Sequence, residues 1–238
     1  MTVRPILALA LMAGFALVPM STQAADAKKD SEKAKAALQE LSEFIGQWNG
    51  NGEGTVEGKK ALWKETWNWS WKFGKDGADP ALQVEIKDGK FFSKALVKYD
   101  VEKKVYFVTA ADKDGHDQEF TGKLVKGKFV LERSDAKTKD VYRLTVNTAA
   151  EGIRFIGLYE VVAGGKGLGS TIYKVAGSKE GESFAGGGKK NECVVTGGLG
   201  TMTVSYMGKT FYVCCSGCKD EFNENPKKYV DAFEKKKK

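Results

Sequence analysis

The side chains in this sequence with the most distinctive chemistry are its four cysteines, Cys193, Cys214, Cys215 and Cys218. All lie near the C-terminal end, with the spacing C-x20-C-C-x2-C. Thiolates are preferred ligands of soft ions such as Zn(II) and Cu(I), and a distant cysteine can close a site that a compact cluster begins. The spacing therefore predicts a metal site with all four as candidate ligands. No residue of the chain is predicted to be catalytic.

The segments around the cysteines predict a small α+β module over residues 191–238, which ends in a basic tail. Alternating side chains on both sides of Gly208 predict a hairpin that leads into the cysteine cluster. Short helices are predicted after Cys218 and from Pro226. A unit of this size buries too little apolar surface to be securely stable alone, so a bound ion would contribute to its stability.

This module resembles the YHS domain and its TRASH relatives. The resemblance rests on YMGKTFYVCCSGCKDEF from Tyr206 and on NPKKY from Asn225. It implies a treble-clef-like fold, a soft metal such as copper or zinc, and three ligands with Cys215 as a fourth candidate. The three implied ligands are Cys193, Cys214 and Cys218. The chain lacks the proline that often follows the first cysteine, so the resemblance leaves the metal's identity open.

Two other interpretations of the cysteines stay open at this stage. In an oxidising compartment four cysteines can form disulfides in three alternative pairings, which would make the module a stapled appendage. The run Cys215-Ser216-Gly217-Cys218 also has the C-x-x-C spacing of thiol oxidoreductases, although no βαβ pattern surrounds it.

The N-terminal residues have the features of a secretory signal peptide, predicted over residues 1–24. Arg4 precedes an apolar run from Ile6 to Val18, and small residues lead to a cleavage site after Ala24. The apolar run is too short to span a bilayer, so no membrane anchor is expected. The sequence thus predicts an exported protein, periplasmic or secreted, that begins with a flexible leader over residues 25–37.

A period of two dominates residues 38–177 after a short helical stretch at Leu38. Between Trp63 and Phe73 large aromatic residues occupy odd positions and polar residues even ones, as in a strand with one apolar face. Similar stretches follow at short intervals, joined by turns such as Asp114-Gly115. The pattern predicts a mainly β fold with roughly ten antiparallel strands in an up-and-down barrel, because closure removes unpaired edges.

The opening of this region, LSEFIGQWNG from Leu41, resembles the start of lipocalin-like (calycin) barrels, in bacterial members without known function. The resemblance implies a cup for a small apolar ligand. The alternative is an interior filled by packed side chains, and packing is favoured. For Glu65 a position at the barrel rim in water is favoured over a role in ligand binding. The candidate ligand-binding residues are Trp63, Glu65, Trp67, Trp69 and Trp71.

Other binding classes are less compatible with the sequence. The net charge is +7, but only four of the 38 basic residues are Arg, the side chain that recognises phosphates and bases in fixed geometry, so no nucleic-acid partner is expected. Some ten-stranded relatives hold haem through one histidine. The only histidine here, His116, follows a predicted hairpin turn, so no haem is expected. A glycine-rich linker is predicted at residues 178–190.

Together these observations predict a non-catalytic, extracytoplasmic protein that binds copper or zinc through its C-terminal cysteines, with the barrel as scaffold or second site. The first alternative is a lipocalin-like carrier of a small apolar ligand with a disulfide-stapled appendage. The second is a thiol oxidoreductase.

Overall fold

The structure is a computed structural model that describes residues 20–180 and 191–236, with side chains from residue 27 onward. A ten-stranded closed barrel is preceded by a helix and followed by a small cysteine-containing module. The apolar run of the predicted signal peptide and most of the predicted linker lie outside the described residues. Among the described helices, none is both long and apolar enough to cross a membrane.

The barrel is an antiparallel meander in which each strand pairs with its neighbours in sequence, and the last strand pairs with the first. Trp48 in the first strand lies opposite Trp67 in the second and Lys179 in the tenth, so these pairings close the barrel. The predicted strands and their order are confirmed. The strands are β1 Gly46–Val56, β2 Lys59–Lys72, β3 Ala81–Lys87, β4 Phe92–Asp100, β5 Val105–Asp112, β6 Asp117–Val125, β7 Lys128–Ser134, β8 Val141–Ala149, β9 Arg154–Val162 and β10 Ser170–Lys179.

The barrel core consists of the inward side chains of these strands. Trp48 is fully buried, and its ring centroid lies 5.4 Å from that of Phe155. Trp67 packs on the same phenylalanine at 5.0 Å. Alternate residues of each strand point to one face, so the aromatic face predicted from the sequence is the interior of the barrel.

Helix α1, Met20–Gln39, replaces the flexible leader that the sequence predicts for residues 25–37. That prediction is wrong because it treated small and charged residues as disordered. Ala, Lys, Glu and Gln are in fact strong helix formers. The helix is also held by packing, since Ala34 and Leu38 are buried. A short 3-10 turn, Ser42–Phe44, connects it to β1.

The connection between α1 and β1 covers one end of the barrel. Leu38 and Leu41 have no exposed surface, and Phe44 stacks on Trp69 with centroids 5.3 Å apart. The Tyr106 hydroxyl donates a hydrogen bond of 2.8 Å to the carbonyl oxygen of Ala37. The helical stretch predicted at Leu38 therefore lies over this end of the barrel.

The C-terminal module has two small sheets and two helices. Met202 pairs with Val213 in the predicted hairpin, which is confirmed. The first helix begins at Ser216, three residues earlier than the start that the sequence indicates. The elements are β11 Asn191–Glu192, β12 Leu199–Gly200, β13 Met202–Tyr206, β14 Lys209–Val213, α2 Ser216–Glu224 and α3 Pro226–Lys236.

Candidate metal centre

Three elements of the module bring the cysteines together. Cys193 follows β11 and forms a bridge to Tyr212 in β14, while its N–H donates to the carbonyl of Gly198. Cys214 and Cys215 come directly after β14, and Cys218 lies in the first turn of α2. The strand end and the helix start therefore supply a compact cluster, and the loop after β11 supplies the distant cysteine.

The sulfurs of Cys193, Cys214 and Cys218 all lie within 4.8 Å of one another. The Sγ atoms of Cys214 and Cys218 are 3.4 Å apart. Two sulfurs that each bind the same zinc ion at about 2.3 Å lie slightly less than ~4 Å from each other. All four cysteines are free thiols, and the three cluster residues are 1%, 7% and 0% exposed. The donor set therefore fits a soft metal ion shielded from water.

Cys215 lies at the edge of this cluster. Its sulfur is 3.9 Å from that of Cys214 and accepts a hydrogen bond of 3.3 Å from the backbone N–H of Trp71, which belongs to the barrel. Successive residues of an extended chain point to opposite sides, which separates the directions of Cys214 and Cys215. Cys215 therefore connects the cysteine cluster to β2.

Thr196 also belongs to this site, although the sequence pattern did not predict it. Its Oγ1 lies 3.6 Å from the sulfur of Cys214 and 3.9 Å from that of Cys218. A tight turn places it there, since the N–H of Gly197 donates to the carbonyl of Cys193. The glycine pair that follows Thr196 was the available signal for that turn. The hydroxyl supplies a polar contact to thiols in an otherwise buried cluster.

Hydrogen bonds among the thiols divide the cysteines into acceptors and donors. Bonds from Cys214 and Cys218 lower the pKa of Cys193, and bonds from the same two thiols lower the pKa of Cys215. The pKa of Cys214 is raised, first by its bond to Cys193, and burial raises that of Cys218. The metal-free cluster thus favours thiolate at two sulfurs and retains protons at the other two.

Helix α1 contacts the loop that carries Cys193 and Thr196. The Lys35 ammonium donates a hydrogen bond of 2.8 Å to the carbonyl of Val195, and the Gln39 side-chain amide donates one of 2.5 Å to the carbonyl of Thr196. No local pattern indicates these contacts, because more than 150 residues separate the partners. Helix α1, which precedes the barrel, therefore lies at one side of the candidate metal centre.

Burial lowers the pKa of the half-buried Lys35, and the Cys218 sulfur and Glu221 oppose this shift. Glu221 is itself buried in α2, where it accepts a hydrogen bond from the Tyr229 hydroxyl and lies 3.5 Å from the Lys228 ammonium. Charged side chains of α1, α2 and α3 therefore lie beside the cysteine cluster.

A cavity of about 240 Å³ lies between the barrel end and the module. Cys214 and Thr196 line it from the module, and Ile45 and Trp71 line it from the barrel side. Cys214 is the cluster cysteine that borders this space. The cysteine cluster therefore borders this cavity at Cys214.

The predicted ligand-binding residues of the barrel are packed together. Trp67, Trp69 and Trp71 are 2–3% exposed, and Trp63 is half-buried. A cavity lined by Trp67, Trp69 and other apolar side chains measures about 20 Å³, whereas sites for small organic ligands usually measure about 300–1,000 Å³. The interior at these indoles is therefore filled by side chains.

Glu65 lies inside the barrel, which corrects its expected position at the rim in water. It is 4% exposed, and its two carboxylate oxygens accept hydrogen bonds from the indoles of Trp63 at 2.5 Å and Trp67 at 2.6 Å. An interior carboxylate is tolerated when hydrogen bonds replace its hydration, and two indole N–H groups do so here. The indoles of Trp63 and Trp67 are thus hydrogen-bonded to a carboxylate inside the barrel.

His116 lies at the turn between β5 and β6, as its position after Asp114-Gly115 predicts. Its side chain is 80% exposed, and its Nδ1 lies 3.4 Å from a carboxylate oxygen of Asp112. Asp112, Asp114 and His116 form a second group with ligand atoms close together, but two of the three are exposed. The histidine is therefore remote from the barrel interior.

Comparisons with known proteins address the module rather than the barrel. Curated proteins give no match to this chain. The family model of the YHS domain matches residues 201–232, a span that includes Cys214, Cys215 and Cys218, while Cys193 lies just before it. The C-terminal part of this chain is a YHS-type cysteine module.

Proposed function

We propose that this chain is a non-catalytic, extracytoplasmic protein that binds a soft metal ion, zinc or copper(I), through the thiolates of Cys193, Cys214 and Cys218. The observation that carries the proposal is the group of three buried sulfurs within 4.8 Å of one another. Buried thiols from separate elements rarely converge for packing alone, and a soft ion is the ligand whose chemistry suits them.

The surroundings of the cluster support metal capture over redox chemistry. A redox-active thiol is usually a thiolate that reagents can reach. The two cysteines of the C-x-x-C run, Cys215 and Cys218, are 7% and 0% exposed. A small ion can pass Cys214 from the neighbouring cavity, whereas a disulfide substrate needs direct access to a sulfur.

The extracytoplasmic location in this proposal rests on the signal-peptide features of residues 1–24. A metal-loaded cluster is compatible with an oxidising compartment, because bound thiolates are protected from disulfide formation by coordination and burial. The barrel serves as a scaffold in this proposal, since the cavity bordered by Trp67 and Trp69 measures only about 20 Å³.

The test is a metal titration of the protein purified with reduced thiols. Zinc and copper(I) are titrated in separate experiments against a chromophoric competitor, and bound metal is counted after gel filtration. We expect one ion per chain. Cys193→Ser and Cys218→Ser should each abolish stoichiometric binding, because a three-sulfur site loses its closure.

Cys215→Ser is the matched variant, since its sulfur lies at the edge of the cluster and faces the barrel backbone. It should retain one ion per chain with weaker affinity. Protein that binds neither ion and has two disulfides by mass would exclude the proposal. Equal loss in all the cysteine variants would assign Cys215 as a fourth ligand.

A further inference from the structure

The hydroxyl of Thr196 lies against the group of three cysteine sulfurs. Its Oγ1 is 3.6 Å from the sulfur of Cys214 and 3.9 Å from that of Cys218. The sulfur of Cys193 also accepts hydrogen bonds from the hydroxyl and from the backbone N–H of Thr196. One oxygen atom is therefore in contact with all three sulfurs.

This hydroxyl is enclosed together with the sulfurs. Thr196 is 5% exposed, and the tight turn from Cys193 to Gly197 fixes its position. A buried hydroxyl needs hydrogen-bond partners that replace water, and the partners that the structure shows for this one are cysteine sulfurs. The oxygen therefore belongs to the polar cluster rather than to the apolar packing around it.

The distances from this oxygen to the sulfurs match those of a tetrahedral zinc site. A sulfur and an oxygen that bind one zinc ion at about 2.3 and ~2.1 Å lie about 3.6 Å apart when the angle between the two bonds is tetrahedral. The two distances from Oγ1, 3.6 and 3.9 Å, are close to this value. Zinc in structural sites is almost always four-coordinate, and the three cysteines supply only three donors. The Thr196 oxygen therefore has the spacing of a fourth donor.

Cys215 is the other candidate for the fourth position, and its geometry fits less well. Its sulfur lies 3.9 Å from that of Cys214, but the group of sulfurs that all lie within 4.8 Å of one another does not include it. The Cys215 sulfur also accepts the hydrogen bond from the backbone N–H of Trp71. Cys215 is therefore directed towards the barrel, whereas the Thr196 oxygen is directed towards the three sulfurs.

We propose that Thr196 supplies the fourth ligand, an oxygen, of a tetrahedral site with three sulfurs, and that this donor set selects zinc over copper(I). This inference rests on the proposed function, since it requires an ion in the cluster. Zinc accepts oxygen as well as sulfur ligands and needs the fourth donor. Copper(I) is bound well by thiolates alone, so a neutral oxygen adds little to its affinity. Thr196 is thus the residue that determines which soft ion the cluster retains.

The experiment compares the zinc and copper(I) affinities of the full chain with those of Thr196→Val, Thr196→Ser and Thr201→Val. Valine replaces the hydroxyl with a methyl group, and serine keeps the hydroxyl. Thr201 is the matched control, because it lines the same cavity but its Oγ1 donates to the carbonyl oxygen of Cys214. We expect Thr196→Val to weaken zinc binding about 10- to 100-fold, the range for groups that support a metal's ligands, and to leave copper(I) binding unchanged. Serine should restore the zinc affinity, and Thr201→Val should retain it.

Two spectroscopic measurements identify the fourth ligand directly. X-ray absorption at the zinc edge of the unsubstituted protein should show three sulfurs and one oxygen, a result that requires no variant. With cobalt(II) in place of zinc, the visible spectrum changes when a ligand is exchanged. Added imidazole should leave the spectrum of the unsubstituted protein unchanged and should shift that of Thr196→Val, where water occupies the fourth position. Circular dichroism of each variant checks that the barrel and helices are retained.

Three results would overturn the inference while the proposed function stands. The first is four sulfur ligands at the zinc edge, which would assign the fourth position to Cys215. The second is a zinc affinity or an imidazole response that is the same in Thr196→Val and the unsubstituted protein, which would assign that position to water. The third is an equal loss of zinc and copper(I) affinity in Thr196→Val, which would limit the hydroxyl to hydrogen bonds with the sulfurs. If the unsubstituted protein binds neither ion, the proposed function itself fails, and the inference fails with it.

Discussion

The backbone of Trp71, near the end of β2, lies directly against Gly217 in the first turn of α2. A Cβ atom at position 217 would overlap the carbonyl oxygen of Trp71. The backbone N–H of the same Trp71 donates a hydrogen bond to the sulfur of Cys215. The cysteine module therefore docks on the barrel through backbone contact, at a position where only a residue without a side chain fits.

Gly217→Ala should weaken this docking. Alanine favours a helix over glycine, so the module alone would gain about 1 kcal/mol from the substitution. Overlap with the Trp71 carbonyl should instead destabilise the whole protein by about 1–3 kcal/mol. Urea unfolding followed by circular dichroism measures the change in the free energy of unfolding.

Gly198→Ala is the control for that experiment. A Cβ at position 198 would meet its nearest neighbours at 3.7 and 3.8 Å, which is ordinary contact. We expect a change of less than about 0.5 kcal/mol for this variant. A gain in stability for Gly217→Ala would contradict the docking described here.

Removing the metal should destabilise the module more than the barrel. The barrel strands form a closed ladder in which β1 pairs with both β2 and β10, so their hydrogen bonds are complete without the module. Under reducing conditions, a thermal melt with chelator should show an early transition for residues 191–236 and a later one for the barrel. A single transition that chelator does not move would contradict this prediction.

Metal affinity should rise with pH. The bond to Cys193 raises the pKa of Cys214 and burial raises the pKa of Cys218, so both sulfurs keep their protons at neutral pH in the metal-free protein. Ligation must displace these protons, which means that lower pH favours the metal-free state. Calorimetry in buffers with different ionisation enthalpies should detect proton release. An affinity that is constant between about pH 6 and about pH 8 would count against thiolate ligation.

Glu65→Gln should destabilise the barrel. The carboxylate accepts hydrogen bonds from the indoles of Trp63 and Trp67, and an amide offers only one acceptor oxygen to these two donors. Leaving one buried N–H group unpaired costs about 1–3 kcal/mol. The midpoint of urea unfolding should fall accordingly.

Glu53→Gln provides the comparison for Glu65→Gln. Its ion pair with Lys174 is exposed on both sides, at 2.9 Å, and such pairs contribute about 0–1 kcal/mol. Equal effects of the two substitutions would show that the interior position of Glu65 has no special energetic role.

The sequence alone determined the strands and the composition of the cysteine cluster. Period-two alternation and turn residues are local signals, so the pattern from Ala61 to Phe73 predicted β2 to within two residues at its start and one at its end. The cysteine spacing, together with its resemblance to the YHS domain, identified the residues that converge. Both predictions depend on short stretches of sequence that can be interpreted without information from the rest of the chain.

Only the tertiary structure decided what surrounds these elements. Residues 25–37 lie in a helix that packs on the barrel. Lys35 in this helix bonds to Val195, which comes after the barrel in the sequence. Glu65 is buried because the closed barrel brings it two indole donors, which no alternation pattern reveals. The sulfur of Cys215 bonds to Trp71 because the module docks on β2. Each of these contacts joins groups that lie within hydrogen-bond distance only because the barrel closes and the module docks on it. The local sequence does not indicate such contacts.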